Sequence, residues 1–181
     1  MAFNTIAEVK YPNLAAERRY CQCNIPAWAD HANVSIEVME NVLHGTDDLT
    51  REEALGLAKL LIQYGPAKNE YEFMEYLFSN KITNIMLTEE IQNRLWDLKL
   101  VCEVTMRCIK QPVDIWYSSC LNNICHWFDE LQSNKVVPYA LIRNYLGQAN
   151  DILVKGKTEE KRSNGLHDRT SMDLEMTNYG I

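Results

Sequence analysis

Apolar residues recur every three to four positions along most of the chain, the spacing that gathers them on one face of a helix. The first clear helix predicted this way is Asn33–His44, with Asn33 as its cap, Val34, Val38, Val42 and Leu43 in phase, and Gly45 at its end. The next lies within residues 50–66. Thr50 and Glu53 have capping-box spacing, Leu57, Leu60, Leu61 and Tyr64 share a face, and Gly65-Pro66 stops it. A short helix over Ala67–Ser79 would turn Tyr71, Met74, Leu77 and Phe78 inward. The longest runs from Thr88 to Gln111, with Ile91, Leu95, Leu98, Val101, Cys102, Thr105 and Ile109 in a wide apolar stripe. Residues 113–132 follow with Trp116, Cys120, Ile124, Trp127 and Leu131 in phase. Pro138–Leu153 then carries Leu141, Ile142, Tyr145 and Leu146.

The two ends lack such a pattern. Residues 1–32 read as an irregular arm with a short helix around Leu14–Tyr20, interrupted by Pro12 and Pro26. Residues 154–181 are polar, mixed in charge and poor in large apolar groups, and read as a flexible tail. The expected organisation is therefore an arm (1–32), an all-α multi-helix domain (33–153) and a tail (154–181). The stripe on residues 88–111 is wide enough to be buried on two sides, against its own domain and against a second copy, which is compatible with a homodimer.

Composition sharpens this picture in three places. Only 7 Gly and 5 Pro leave few turns for short strands, while a 46% hydrophobic fraction is ample for a core. No stretch approaches the length of a membrane span, and the first residues have no signal-peptide apolar core, so a cytoplasmic or nuclear location is expected. The net charge of −7 opposes approach to nucleic-acid phosphates, unless one local basic face outweighs it.

Candidate chemistry is sparse. Six cysteines are present, four of them in helical patterns, where thiols usually act as small apolar groups. Cys21, Cys23 and His31 lack zinc-site spacing, and Cys120, Cys125 and His126 complete no required ligand set. Cys125 and His126 are neighbours on a helix and point to different sides, which does not suit a nucleophile–base pair. No phosphate loop, HExxH or GxSxG occurs. The expectation is a binding protein without catalytic residues, metal or cofactor. One side of the long helix gathers Trp96, Lys99, Arg107 and Lys110, with Glu103 among them. This is either a solvated face or a basic strip with an aromatic able to stack on a base or a duplex end. Lys155, Lys157, Lys161 and Arg162 form a smaller basic cluster in the tail, and Tyr179-Gly180-Ile181 has an apolar–x–apolar pattern that a carboxylate-capturing groove accepts.

Between residues 21 and 90 the chain carries an ordered set of marks: Cys21 and Cys23, His31, Ser35-Ile36, Leu43-His44-Gly45 followed by Asp47-Asp48, and later Ile85-Met86-Leu87. In order and phrasing these resemble the small nonstructural RNA-silencing suppressors of tenuiviruses, plant-infecting negative-strand RNA viruses. The resemblance implies a helical domain that dimerises and sequesters short double-stranded RNA, small interfering or microRNA duplexes, from the host silencing proteins, in the host cytoplasm or the nucleus. It implies no enzymatic activity. Within the LHGxDD segment, Gly45 reads as a helix stop and Asp47 and Asp48 as loop or cap carboxylates. The alternative function is that of a helical interaction protein that docks a host or polymerase partner and touches no nucleic acid.

Overall fold

The computed structural model describes residues 9–109 and 114–164, with side chains to residue 160. Among them lie eight α-helices and two short strands: α1 Pro12–Tyr20, α2 Ile25–Ala32, α3 Ile36–Leu43, α4 Arg51–Leu61, α5 Glu70–Leu77, β1 Asn84–Met86, α6 Glu89–Cys108, α7 Ile115–Ser133, β2 Val136–Pro138 and α8 Tyr139–Asn164. The all-α class expected from periodicity is what the chain adopts. It divides into two compact units, Met1–Ile85 with Pro138–Asn144, and Met86–Val137 with Tyr145–Ile181. The single-domain span 33–153 does not capture this division. The short helices α1–α5 close a core of their own, whereas the long α6 and α7 pack on each other.

In the first unit the core is built around Leu14, Trp28, Met39, Val42, Leu57, Leu61 and Leu77, all fully buried. Two of these belong to the segment read as an arm, which is folded from Pro12 onward. The prolines taken for interruptions stand in the first turns of α1 and α2. A missing N–H costs nothing there, and the fixed φ suits the helix. Asn24 caps α2 through its side chain, accepting from Ala27 N. Asn33 caps no start: it closes α2 in the left-handed conformation, φ 59°, and Ser35 caps α3 instead.

Gly45 sits just past the C-cap of α3 at φ +78°, as its position predicted. The Thr50–Glu53 capping box forms with both hydrogen bonds, Glu53 N to Thr50 Oγ1 at 3.2 Å and Thr50 N to Glu53 Oε1 at 2.9 Å. In α5 the buried face is Phe73, Met74 and Leu77, while Tyr71 points out rather than in. Asn69 caps this helix and sets its start later than the apolar pattern implied.

One helix crossing in this unit leaves no room for a side chain. A Cβ on Gly56 of α4 would stand 2.4 Å from the His31 carbonyl oxygen of α2. Gly56→Ala is therefore expected to destabilise the fold by about 1–3 kcal/mol, as an overpacked contact does. That outweighs the roughly 1 kcal/mol that alanine gains over glycine in a helix. The midpoint of denaturant unfolding checks it, and an unchanged or higher midpoint would contradict it.

In the second unit, Thr88, where the predicted long helix begins, caps α6 by accepting from Ile91 N at 3.2 Å. Leu95, Leu98 and Cys102 of α6 are buried, as are Ile124, Phe128, Leu131, Leu146 and Ala149 of the same unit, and the Cys102 thiol donates to the Ala149 carbonyl at 3.8 Å. The helix ends at Cys108, where Ile109 turns extended. Tyr145 Oη donates to the Leu95 carbonyl at 2.8 Å, and Trp116 Nε1 donates to Asp151 at 3.2 Å.

α8 runs on to Asn164, so residues 154–164 are helical and not tail. Two features explain the extension. Lys155 and Glu159 pair at 3.0 Å, one turn apart. Gly156 lets the helix approach α6, for a Cβ there would lie 2.3 Å from Thr105 Cγ2. The remainder of the predicted tail, 165–181, lies outside the described residues, as does the Tyr179-Gly180-Ile181 pattern.

The strands were not expected from the sequence. Leu87 N donates to Lys135 O at 2.7 Å and Tyr139 N to Thr83 O at 2.9 Å. This antiparallel register sets Met86 opposite Val136, both with exposed side chains.

Candidate interaction face on α6

Three of the four residues proposed for RNA contact are described, and α6 brings them to one side. Their accessibility differs sharply. The Trp96 ring is 42% exposed and leans on Phe128 of α7, centroids 5.2 Å apart. Lys99 Nζ lies 4.9 Å from the Trp96 centroid and 5.7 Å from that of Phe128. It also pairs with Glu103 at 2.9 Å, and its side chain is only 16% exposed. A cation held against two rings and a carboxylate has most of its field spent locally. Arg107 is the opposite case: 76% exposed, with its guanidinium 4.0 Å from the other Glu103 oxygen. Among the described residues of the strip, Arg107 is thus the accessible cation. Lys110 lies outside the described residues.

The tail cluster does not act as one patch in its described part. Lys155 is tied to Glu159 and lies over the Tyr117 ring, 5.7 Å from its centroid. Lys157 is half-buried. The side chains of Lys161 and Arg162 lie outside the described residues.

Two residues on α6 escaped the sequence reading. Leu100 and Val104 are 41% and 55% exposed, and with Trp96 they complete an apolar row on the solvent side. The signal was available in the i, i+4, i+8 spacing from Trp96. It was masked because the inward stripe of the same helix already accounted for its amphipathic pattern.

The LHGTDD segment of the first unit turns out to be a clasp. Asp48 accepts from Lys10 Nζ at 2.8 Å and from the Tyr11 hydroxyl. Those hydrogen bonds, Lys10's the largest, hold the Asp48 carboxyl below the ordinary carboxylate range. Asp47 accepts from Asp48 N at 2.8 Å, and a Cβ on Gly45 would press on Lys10 Cβ at 3.1 Å. The segment therefore fixes the approach to α1, through carboxylates that are exposed but already engaged.

The cysteines are all free thiols. Burial pushes Cys21 up to about 11 and Cys102 up to about 12, so both stay protonated and unreactive near neutral pH. Among the described residues no group of three or more His, Cys, Asp or Glu side chains is placed to hold a metal ion, and no helix is long and apolar enough to cross a membrane. Comparison with known proteins finds no matching family model, curated protein or solved structure.

Proposed function

We propose that the chain is a viral suppressor of RNA silencing that sequesters short duplex RNA, small interfering or microRNA duplexes, as a dimer. The observation that carries this reading is the shared side of α6, where Trp96, Lys99 and Arg107 stand together beside an exposed apolar row. Arg107 has the reach and exposure to contact a phosphate. Trp96 offers a ring face for stacking at a duplex end. Lys99 would join only by leaving Glu103. Recognition would rest on A-form shape, phosphates and 2′-hydroxyls, with no base reading. A two-fold dimer would present the strip twice to a duplex whose backbone is itself two-fold symmetric. The LHGTDD segment and its neighbours, which carry the resemblance to tenuivirus suppressors, support this reading from the other unit.

A gel shift with a short RNA duplex at two salt concentrations tests it. Replacing Lys99, Arg107 and Lys110 together by Ala should weaken binding alike for all sequences. It should also flatten the salt dependence, each lost phosphate contact removing roughly 0.9 from the slope for duplex DNA. Trp96→Ala should cost about 1–3 kcal/mol if the ring stacks on a base. A parent protein that shifts no duplex at low salt would remove the reading.

A second reading is favoured by one specific observation, the neutralisation of Lys99 by Glu103 in a chain of net charge −7. On that reading α6 is a docking face for a host silencing protein or a polymerase, with no nucleic acid involved. The same gel shift separates the two.

A further inference from the structure

One face of α1 forms the wall of a groove in the first unit. Pro12, Ala15, Ala16 and Arg19 follow one another at helical spacing along it, and Ile82 and Pro138 complete the lining. All six belong to the same compact unit. The groove exists because the two middle residues of this face are alanines, which leave open the space a larger side chain would fill. Its volume is about 190 Å³ and its lining is mostly apolar. A cavity of roughly 150 Å³ holds benzene, and drug-sized molecules take pockets from about 300 Å³ upward, so this groove has room for one bulky side chain. Ala15, Ala16, Ile82 and Pro138 are half-buried, and the groove opens to solvent.

Asn13 of α1 holds the groove in shape. Its buried amide donates to the carbonyls of Tyr76 and Lys81, at 2.8 and 3.1 Å, and its Oδ1 accepts from Thr83 N at 2.8 Å. The backbone is thereby fixed on both sides of Ile82. Tyr139 N donates to Thr83 O at 2.9 Å, which ties the chain beside Pro138 to the same loop. A groove that is formed before its ligand arrives loses little to ordering on binding.

Charge selects the occupant. Arg19 lines the groove and Arg18 adjoins it in the last turn of α1. Both are exposed, and neither pairs with a carboxylate among the described residues. Their neighbour Glu17 is buried and committed to Arg143. Arg19 rests over the Tyr20 ring, 5.4 Å from its centroid, a contact that orders the guanidinium without neutralising it. We propose that the groove docks a short acidic segment of another protein, with one bulky apolar side chain in the groove and flanking carboxylates on Arg18 and Arg19. A concave site lined by small residues receives a protruding group and offers none of the large apolar side chains that a surface inserts into a membrane. The chain as a whole, at net −7, also repels an anionic lipid surface. A short peptide bound within a Debye length, about 10 Å, is governed by the two arginines instead. The site uses no residue of α6, so it stands or falls independently of RNA binding.

Fluorescence anisotropy with labelled peptides of about ten residues checks this on the full chain. The probe carries a single phenylalanine within a run of aspartate and glutamate. One control has glycine in place of the phenylalanine, and another has lysine in place of the acids. The probe should bind saturably, about tenfold or more tighter than either control, and should weaken as salt rises. Ala16→Leu fills the groove with a good helix former, and Arg18→Glu/Arg19→Glu reverses its charge. Each should lower the affinity about tenfold or more while circular dichroism and melting stay close to the parent's. Should Ala16→Leu fail to fold, the arginine variant, altered only at exposed positions, still decides the matter. A parent that binds none of the peptides, that ignores the phenylalanine or prefers lysine, or a folded arginine variant that binds like the parent would each overturn the proposal. So would another occupant: binding to phosphatidylserine vesicles, or self-association seen by light scattering, that Ala16→Leu abolishes while the acidic probe stays unbound.

Discussion

Glu17→Ala is expected to destabilise the first unit by about 3–5 kcal/mol, the cost of leaving a buried charge without its partner. Glu17 on α1 and Arg143 on α8 are both fully buried. Arg143 Nη2 donates to Glu17 Oε1 at 2.8 Å and Nε to Oε2 at 3.0 Å, a two-pronged pair. Asn144 Nδ2 donates to Oε1 at 3.0 Å and the Tyr76 hydroxyl to Oε2 at 2.9 Å. Burial, with Glu17 alongside, pushes the Tyr76 hydroxyl up, so it stays a donor at any ordinary pH. The guanidinium also donates to the Leu61 and Gly65 carbonyls, at 2.9 and 3.1 Å, and lies 4.5 Å from the Phe73 ring centroid. Removing the carboxylate strands a charged Arg143 that cannot shed its proton, together with the buried Asn144 amide and the half-buried Tyr76 hydroxyl as donors.

The expected fall in the thermal midpoint is on the order of 10 °C, taking a few degrees per kcal/mol for a chain of this size. A double Glu17→Met/Arg143→Met variant should recover part of the loss, because it removes both charges and fills similar volume. It should not recover all of it, since the Leu61 and Gly65 carbonyls lose a donor. A Glu17→Ala variant within 1 kcal/mol of the parent, the range of an exposed pair, would show that the network contributes little.

What the sequence made legible was local. Thr50 with Glu53, Thr88, and Gly45 each act within one turn, through hydrogen bonds or a φ value that the neighbouring residues dictate. Where local signals compete, the reading slipped by a residue or two. Asn33 suits both a cap and a left-handed C-terminus, and the chain uses the second because Ser35 offers a cap two positions later. Pro12 and Pro26 were taken as breakers, although the same ring that breaks a helix interior is favourable in its first turn. The Glu17–Arg143 network was not legible at all, for its members lie 126 residues apart and neither stands in a motif.

The candidate site follows the same rule. Trp96, Lys99 and Arg107 share a side of α6 because helical spacing requires it, and the wheel alone found that. The wheel also placed Glu103 among them, but the weight of its charge depends on rotamers: Lys99 folds back onto the carboxylate and two aromatic rings, while Arg107 extends. Side-chain direction, and not residue position, thus makes two cations that the wheel treats alike, Arg107 and Lys99, one accessible and the other sequestered.

Trp28→Ala should destabilise the first unit by about 3–5 kcal/mol, the usual cost of emptying a buried tryptophan site. The residue sits on α2 in a segment whose pattern suggested an arm, yet its side chain is wholly buried. It belongs to one core with Leu14 of α1, Met39 of α3 and Leu57 of α4. The Gly56–His31 approach holds α2 tight against α4, so the surrounding helices have little freedom to collapse into the space left behind. The tryptophan also allows a control. Its indole N–H has no hydrogen-bond partner among the described residues. Trp28→Phe therefore gives up ring volume without giving up a bond, and should cost clearly less than Trp28→Ala. Denaturant unfolding followed by circular dichroism reads both variants. If residues 12–32 were only an arm, Trp28→Ala would leave the midpoint where it was. A Phe variant as unstable as the Ala one would instead show that the N–H has a partner whose loss matters.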